Sequence, residues 1–516
     1  MQHAGFWSIA HDHPSAVAVI EASGKTQTRG ELLANSHRLV HGLRALGLKR
    51  GDCVAMALPN GSEALALFMA TTQAGMYLVP INWHLTAHEM AYVLQDSNAK
   101  VFVASERIGQ ASREAADITQ LPSSGRFAIG EIAGFAPFDT LFEGQPASLP
   151  EDRTAGAAMT YTSGTTGRPK GVRRPVGVAD PDKVAAAQSG FLALFGIMPG
   201  SAGVHLVCAP LYHTAVLNFA TNHLHLGHSV VLMDRWTPEA TLELIAQHRV
   251  TNSHMVPTMF NRLLKLDAAE RAKHDVSSLR HVIHSAAPCP VPTKQAMLDW
   301  WGPCIYEYYS ASEGGGTLAT PEQWLKKPGT VGKHWPFSQI RILDDRKEPV
   351  ARGSVGTVWI RMGDYRFEYH KDAAKTAEAW NEGFFTVGDA GYLDEDDFLF
   401  LCDRKADMII AGGVNIYPAE VEAQLVTHPS VLDAAVFGIP HADFGEEVKA
   451  VVQPVVGVSA DPALAAELLS FLSERVAKYK LPRSIDFVAE LPRDPSGKLY
   501  KRKLRDPYWQ GRATAI

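Results

Sequence analysis

The sequence has 516 residues, of which 46% are hydrophobic and 20% are charged, a balance that is ordinary for a folded globular protein. With 49 basic and 55 acidic side chains, its formal charge is −6. This charge excludes a general attraction to nucleic acid or to an acidic membrane surface. The length indicates several domains, or one large domain built from several parts.

Targeting and redox signals point to the cytoplasm. The five cysteines are scattered without a Cys-x-x-Cys spacing, which argues against a disulfide framework and a structural zinc site and fits a reducing compartment. Met1–His13 has three histidines, an aspartate and no apolar core, so we expect no signal peptide. The uncharged window Ala64–Trp83 is interrupted by polar residues and proline. It predicts a buried helix followed by a buried strand, rather than a transmembrane span.

Helix and strand signals alternate near the N-terminus. Apolar residues recur at helical spacing over Arg29–Leu46, and the short apolar run Cys53–Leu58 is typical of a buried strand. The alternation continues with a helix, a strand, a helix and a strand at Ala64–Gln73, Met76–Pro80, His88–Asp96 and Val101–Ala104. This alternation predicts a largely parallel sheet covered on both faces. Residues 107–154 show no clear period, and we expect an irregular surface connection there.

A glycine-rich segment follows, Thr160-Tyr-Thr-Ser-Gly-Thr-Thr-Gly-Arg-Pro-Lys170-Gly-Val172. Glycines let the backbone approach a ligand closely, and successive backbone N–H groups form an anion-binding concavity to which hydroxyls and a lysine add donors. The segment therefore predicts a polyphosphate site, and a plain surface turn is the alternative. It is not a Walker A motif, because Lys170 precedes Gly171 and Pro169 breaks the run.

Alternation resumes beyond this segment. Strands, helices and further strands are predicted at Val204–Ala209, Leu217–Leu226, Val230–Met233, Pro238–Gln247, His281–Ser285 and Cys304–Tyr309. Short runs with turns over Val331–Tyr392 indicate a β-rich subdomain. Later helices are expected to begin at Pro418 and at Asp461-Pro462.

These patterns together predict an α/β protein. We expect a large N-terminal domain of α/β sheets with a β-rich subdomain at residues 1–403, and a small, mobile α+β C-terminal domain at residues 404–516. The hinge is placed at about 403–407.

Two further groups of residues have side chains that can bind a metal or a nucleotide. In Glu307-Tyr-Tyr-Ser-Ala-Ser-Glu-Gly-Gly-Gly316, Glu313 is suited to Mg²⁺, which favours one or two carboxylates plus phosphate oxygens. Tyr309 is suited to stacking on a purine, and a glycine-rich turn is the alternative. The histidines at 223, 225 and 228 lack zinc-ligand spacing, so we interpret them as core or surface residues.

The motifs resemble those of one superfamily. Thr162-Ser-Gly-Thr-Thr-Gly-Arg-Pro-Lys-Gly171 closely resembles the signature of the adenylate-forming enzymes, which include acyl-CoA synthetases, peptide-synthetase adenylation domains and luciferases. Tyr309–Glu313 resembles their Tyr-Gly-x-Thr-Glu motif, with Ser310 in place of Gly and Ser312 in place of Thr. At least five blocks occur in order over nearly the whole chain. Taken as a whole, the sequence most resembles the fatty-acyl and steroid-type acyl-CoA synthetases.

The resemblance implies a set of site residues. It places His213 near the acyl carboxylate, Asp389 at the ribose, Arg404 at ribose or phosphate, and Lys498 on a closing loop. The implied catalytic residues are Lys498, Glu313 and His213, and Glu313 and Thr165 would bind Mg²⁺. The implied nucleotide and coenzyme residues are Thr162, Ser163, Gly164, Thr165, Thr166, Gly167, Lys170, Ala286, Ala287, Pro288, Tyr309, Ser312, Asp389, Arg404, Gly412 and Gly413.

The resulting hypothesis is a two-step ligase that uses ATP, Mg²⁺ and coenzyme A. The acid is expected to be bulky and hydrophobic, since Gly314, Gly315 and Gly316 indicate room for it, and a homodimer is compatible with the family. Nucleic acid is not expected as a partner. The alternatives are a ligase that loads a carrier protein, an enzyme specialised for one half-reaction because Ala406 occupies the hinge, and a non-catalytic adenylate-binding protein.

Overall fold

The computed structural model describes residues 5–162, 169–200, 202–364, 366–404, 407–411, 414–441, 443–493 and 499–510, without the side chains of Thr162, Asp403 and Arg404. The chain divides into two compact units. Unit 1 consists of Met1–His254, Ser278–His281 and Asp364–Glu378, and unit 2 consists of Met255–Ser277, Val282–Gly363 and Ala379–Ile516.

The helices and strands are numbered in chain order. The α-helices are α1 (Phe6–Asp12), α2 (Arg29–Ala45), α3 (Ser62–Gln73), α4 (Ala87–Ser97), α5 (Gly109–Ile118), α6 (Pro181–Ser189), α7 (Thr214–His225), α8 (Pro238–His248), α9 (Pro257–Leu264), α10 (Ala268–Arg271), α11 (Val291–Trp301), α12 (Pro321–Lys326), α13 (Ala373–Ala379), α14 (Pro418–Leu425), α15 (Pro462–Ser473) and α16 (Lys501–Trp509). The first strands are β1 (Val17–Ile20), β2 (Thr26–Thr28), β3 (Cys53–Ala57), β4 (Tyr77–Pro80), β5 (Ala99–Ser105), β6 (Arg126–Ile129), β7 (Ala136–Pro137), β8 (Ala157–Ala158), β9 (Thr160–Thr162), β10 (Lys170–Arg173), β11 (Val204–Val207), β12 (Ser229–Leu232), β13 (Asn252–Met255), β14 (His281–His284) and β15 (Ile305–Ala311). The later strands are β16 (Gly314–Ala319), β17 (Lys333–His334), β18 (Ser338–Leu343), β19 (Gly356–Met362), β20 (Glu368–Tyr369), β21 (Trp380–Asn381), β22 (Phe384–Phe385), β23 (Asp389–Leu393), β24 (Leu399–Arg404), β25 (Ile409–Ala411), β26 (Val414–Ile416), β27 (Val431–His441), β28 (Gly445–Pro454) and β29 (Ser484–Phe487).

Unit 1 contains a six-stranded sheet in the order β7-β6-β5-β3-β4-β8, and its neighbouring strands run parallel. Every residue of β3 and β4 is buried, which is why both read as continuous apolar runs. Helix α2 begins with a capping box, in which the Thr28 side chain accepts from the Glu31 N–H and Glu31 accepts from the Thr28 N–H. The predicted parallel sheet with helical crossovers is confirmed.

The prediction of an irregular connection over residues 107–154 is wrong. This segment contains helix α5 and strands β6 and β7, and the two strands extend the parallel sheet beyond β5. The buried positions of α5 are Ser112, Ala115 and Ala116. These side chains are small and one is polar, so the buried face of α5 lacks the large apolar residues that marked the predicted helices.

Unit 1 has two other sheets. One has the order β2-β1-β12-β11-β13, with β1, β12, β11 and β13 parallel and β2 antiparallel. The other has the order β20-β10-β9 and is antiparallel, so that Lys170 pairs with Thr162 and Val172 with Tyr369. The residues that connect β9 to β10 include the glycine-rich positions 163–168, which lie outside the described part of the chain.

Unit 2 contains the predicted β-rich region. Strand β14 pairs in parallel with β15, and β16 and β17 follow as antiparallel partners. A separate antiparallel sheet has the order β21-β22-β19-β23-β24, with β18 also pairing with β19. This agrees with the short runs and turns that predicted a β-rich subdomain.

The C-terminal part of unit 2 has its own sheet, in the order β26-β25-β28-β27 with β29 beside β28. Helix α14 begins with Pro418 at its first turn, and α15 is capped by Asp461, which accepts from the Leu464 N–H. Both predicted starts are confirmed. The buried face of α15 carries Leu464, Leu468 and Leu472 and packs in the core of this sheet.

The predicted α/β fold class, with a large sheet-rich N-terminal part and a smaller α+β C-terminal part, is confirmed. The division at residues 403–404 stays a prediction, and Ala406 lies outside the described residues. Within the described ranges, no helix combines the length and apolar character needed to cross a membrane.

Candidate active site

Tyr309 and Asp389 meet in unit 2. The Tyr309 hydroxyl donates to Oδ2 of Asp389 at 2.7 Å, although 80 residues separate them in sequence. Tyr309 lies on β15, and Asp389 is the first residue of β23. Asp389 also pairs in register with Arg404 of β24. The structure therefore brings the predicted purine-stacking residue next to the predicted ribose carboxylate and to the backbone of the predicted arginine.

The segment Ser285–Pro288 follows directly after β14. Because β14 and β15 are parallel and His284 is in register with Glu307, this segment leaves the sheet at the end where Tyr309 lies. Burial raises the pKa of Tyr308 to about 12, and a hydrogen bond with Ser285 opposes part of that rise. Ala286 has a φ of 72°, a left-handed conformation that is uncommon for a residue with a Cβ. The predicted positions Ala286, Ala287 and Pro288 thus follow the end of β14 on the side of Tyr308 and Tyr309.

The turn between β15 and β16 carries Ser312 and Glu313. Glu313 is buried, with 6% of its surface exposed. No group of three or more His, Cys, Asp or Glu side chains in the described ranges is arranged to hold a metal. A Mg²⁺ ion that is also bound by phosphate oxygens needs only one or two protein carboxylates. A single buried glutamate fits that requirement.

Two of the three glycines after Glu313 pack closely against the protein itself. A Cβ on Gly316 would lie 2.0 Å from the carbonyl oxygen of Tyr309, and a Cβ on Gly315 would lie 2.5 Å from Cγ2 of Ile360. Gly315 also has a φ of 66°, in the left-handed region that glycine adopts without strain. The protein's own packing and backbone conformation account for Gly315 and Gly316, and the bulky, hydrophobic acid stays a prediction.

In unit 1, Lys170 is held by a carboxylate that sequence reasoning missed. Its Nζ lies 2.6 Å from Oδ2 of Asp372 and 5.8 Å from the centre of the Tyr369 ring. The hydrogen bond from Lys170, followed by one from the Lys375 N–H, lowers the pKa of Asp372. The one available sequence signal for Asp372 was its position just before a helical run, which indicated a cap but no contact with Lys170.

His213 is the N-cap residue of α7 and is partly exposed in unit 1. Its ring centre lies 4.3 Å from that of Tyr212, with the two planes tilted by 48°. The structure therefore places His213 at the start of a helix rather than inside the core. Its predicted contact with the acyl carboxylate stays a prediction.

The other histidines of this region are core residues, as expected. His223, His225 and His228 are buried, and Nδ1 of His223 lies 2.8 Å from Nδ1 of His228. The ring of His205 stacks on that of His223 with centres 4.2 Å apart. Burial lowers the pKa of His205 and of His225 to about 3, so both imidazoles are neutral.

Ten predicted site residues fall wholly or partly outside the described part of the chain. Those outside the described ranges are Ser163, Gly164, Thr165, Thr166, Gly167, Gly412, Gly413 and Lys498. For Thr162 and Arg404 the backbone is described and the side chain is not. The roles assigned to these ten residues remain predictions.

Comparison with known proteins identifies the class to which this fold and these residues belong. The sequence matches the AMP-binding enzyme family over residues 6–365 and the C-terminal domain of AMP-binding enzymes over residues 420–498. The chain therefore belongs to the AMP-binding enzyme family, which is the adenylate-forming superfamily that its motifs resemble.

Individual relatives align over almost their full length. The chain is 33% identical to a feruloyl-CoA synthase of an Amycolatopsis species, covering 98% of this chain and 99% of that protein. It is 31% identical to a fatty acid–[acyl-carrier-protein] ligase of Streptomyces coeruleorubidus, covering 98% and 96%. Among solved structures, the O-succinylbenzoate coenzyme A synthetase of Bacillus subtilis, in complex with ATP and magnesium, superimposes with a TM-score of 0.80 at 28% identity, covering 97% and 99%.

Proposed function

We propose that this protein is an AMP-forming acid–thiol ligase that activates a carboxylic acid with ATP and Mg²⁺ and transfers the acyl group to coenzyme A. The observation that carries the proposal is the hydrogen bond between Tyr309 and Asp389. It joins an aromatic ring, suited to a purine, with a carboxylate suited to two ribose hydroxyls. Membership of the AMP-binding enzyme family supports the same assignment.

The reaction has two steps. An oxygen of the acid attacks the α-phosphorus of ATP, the bond to the β-phosphate oxygen breaks, and pyrophosphate leaves. The thiolate of coenzyme A then attacks the acyl carbon, and the bond to the AMP oxygen breaks. Charge develops on phosphate oxygens in the first step, and positioned cations stabilise such charge. Lys170 is suited to stabilise this charge. The resemblance to adenylate-forming enzymes adds Lys498 as a second cation.

Magnesium would be held by Glu313 together with phosphate oxygens. The buried position of this carboxylate at the β15–β16 turn supports the assignment, because hard oxygen ligands are those that Mg²⁺ prefers. Bound there, the ion would neutralise charge on the polyphosphate. Thr165 is retained as a second proposed ligand from the resemblance.

Coenzyme A is the proposed acceptor, and a carrier protein is the second candidate. Two of the compared proteins are named for coenzyme A products, whereas the Streptomyces coeruleorubidus relative is named for an acyl-carrier protein. The printed names of the relatives also favour a hydrophobic acid of the fatty-acyl or aryl-acyl type. The five cysteines are free thiols, which supports a reducing cytoplasm as the place of action.

The test measures each half-reaction separately. Pyrophosphate release from ATP is screened across acetate, fatty acids, aryl acids and a steroid acid, and thioester formation is then measured with coenzyme A and with a carrier protein. We expect pyrophosphate release with a hydrophobic acid. We expect a thioester to form with coenzyme A but not with the carrier protein. Release followed by transfer to the carrier protein only would replace the proposed acceptor.

The same assays address the two remaining alternatives. A thioester formed from synthetic acyl-adenylate, with no pyrophosphate release on any acid, would identify an enzyme specialised for the second half-reaction. Tight ATP binding without turnover in either assay would identify a non-catalytic adenylate-binding protein.

A further inference from the structure

A fully buried ion pair lies next to the nucleotide-binding segments of unit 2. Nζ of Lys294, on α11, is 2.7 Å from Oε2 of Glu307, on β15. The same carboxylate oxygen lies 3.5 Å from Nε2 of His284, at the end of β14. Lys294 and His284 have no exposed surface, and Glu307 is buried. The Lys294 ammonium also lies 4.8 Å from the centre of the Trp324 ring.

The buried triad consists of Lys294, Glu307 and His284. Its residues His284 and Glu307 precede, along the chain, the two segments assigned to the nucleotide, which are Ser285–Pro288 and the part of β15 that contains Tyr309. His284 and Glu307 are register partners of the parallel β14–β15 pair. The residue after His284 is Ser285, which begins the segment Ser285–Pro288. Two residues after Glu307 is Tyr309, whose hydroxyl donates to Asp389. A displacement of β14 or β15 at this register would therefore move the groups assigned to adenine and ribose.

Stability alone does not explain this ion pair. Removing two charges from water is costly, and well-packed apolar residues of similar volume are often no less stable than a buried ion pair. Burial raises the pKa of Glu307, and the nearby Lys294 ammonium opposes that rise. What the pair provides is a directional link of fixed length from helix α11 to a defined point of β15.

We propose that Lys294 and Glu307 are positioning residues for nucleotide binding, because their ion pair fixes β15 beside the C-terminal end of β14, where Ser285–Pro288 and Tyr309 receive the adenosine. His284 completes the contact from the β14 side. This inference rests on the proposed function. It adds two residues to the nucleotide site that touch neither the nucleotide nor the acid.

The test compares apolar replacement of the whole pair with removal of one partner. The wild type, Lys294→Met and the double variant Lys294→Met/Glu307→Leu are measured for urea midpoint and, with Mg²⁺, for the Kd of ATP by calorimetry. Lys294→Met leaves the buried Glu307 carboxylate without its cation, and the urea midpoint should fall. The double variant should recover most of the midpoint, yet its Kd for ATP should rise about tenfold, the scale of one well-placed hydrogen bond to a charged group.

Lys449→Met is the matched control. Lys449 is also a buried lysine in an ion pair, with Nζ 2.9 Å from Oδ2 of Asp486, but it lies on β28 of the C-terminal sheet. Its loss should lower the midpoint without changing the Kd for ATP. A double variant with both the wild-type midpoint and the wild-type Kd would overturn the proposal, and so would a Kd that rises equally in Lys449→Met.

A conservative variant keeps the test decisive if the double variant does not fold. Glu307→Asp retains the charge and draws the carboxylate back by one methylene from Lys294. We expect a folded protein whose Kd for ATP is raised about threefold or more, with a smaller change in Kd for the acid. An unchanged Kd for ATP would refute the positioning role. A wild type that binds no ATP at all would instead refute the proposed function.

Discussion

Lys170 and Asp372 form a close ion pair in unit 1, with 2.6 Å between Nζ and Oδ2, although 202 positions separate them in sequence. Lys170 begins strand β10, and Asp372 precedes helix α13, where it also accepts from the N–H of Lys375. The ammonium proposed to bind phosphate is therefore already engaged by a carboxylate. A phosphate that binds Lys170 must compete with that carboxylate.

Asp372→Asn is expected to tighten ATP binding severalfold. The substitution removes the competing charge, while an asparagine side chain still accepts from the Lys375 N–H. The measurement is the Kd of ATP by calorimetry, with the urea midpoint as a check that the helix cap is kept. Weaker ATP binding at an unchanged midpoint would show that Asp372 orients Lys170 for the phosphate rather than competing for it.

Tyr309→Phe is expected to raise the KM for ATP about tenfold and to leave the KM for the acid nearly unchanged. The variant keeps the ring but removes a hydrogen bond to a charged carboxylate. Tyr508→Phe is a matched control, because the Tyr508 hydroxyl on α16 donates to Oδ2 of Asp486 on β29 over 2.9 Å. Equal changes in the two variants would mean that the effect is not specific to the nucleotide.

Glu313→Gln is expected to shift the Mg²⁺ titration of activity to higher concentration. The substitution keeps the size of the side chain and removes the charge that would bind the ion. Activity is measured against Mg²⁺ at saturating ATP. A titration identical to that of the wild type, with normal maximal activity, would remove Glu313 from the metal site.

Lys498→Ala is expected to lower the adenylation rate by on the order of 10²–10³-fold, the scale for losing one positioned charge donor. Thioester formation from synthetic acyl-adenylate should remain largely intact, since the resemblance assigns Lys498 to the first step only. The two rates are measured separately. An equal loss in both rates would mean that Lys498 has a structural role or a different catalytic role.

Acid is expected to destabilise unit 1 through its buried histidines. Burial lowers the pKa of His205, His225 and His254 to about 3, whereas an unfolded histidine titrates near 6.5. As the pH falls from about 6.5 towards 3, these histidines therefore bind protons in the unfolded chain but stay neutral in the folded chain. Stability should fall over that window by about 1.4 kcal/mol per pH unit for each of these histidines, with no contribution above it.

The acid effect is measured as urea midpoints at pH 7.5 and 5.5. His205→Asn should reduce the difference between the two midpoints, whereas His334→Asn, at an exposed position, should not. Midpoints that are equal at both pH values in the wild type would contradict the neutral buried histidines.

Strong apolar periods were enough to predict much of the fold. Helix α2 and strands β3 and β4 appear where the pattern placed them, because burial of their faces dominates the local choice of structure. Helix α5 was missed, since its buried residues Ser112, Ala115 and Ala116 are small or polar and none is a large apolar residue. Short strands such as β6 exist because a neighbouring strand pairs with them, and no local signal carries that information.

The sequence by itself determined the class of protein and the residue types of its proposed site, because the glycine-rich segment Thr160–Val172 and the Tyr309–Glu313 motif are local and chemically distinctive. The tertiary structure alone decided which of those residues meet. Contacts such as Tyr309 with Asp389, Lys170 with Asp372 and Lys294 with Glu307 join different elements. Their partners are set by strand order and register, which depend on the packing of the whole sheet rather than on any one segment.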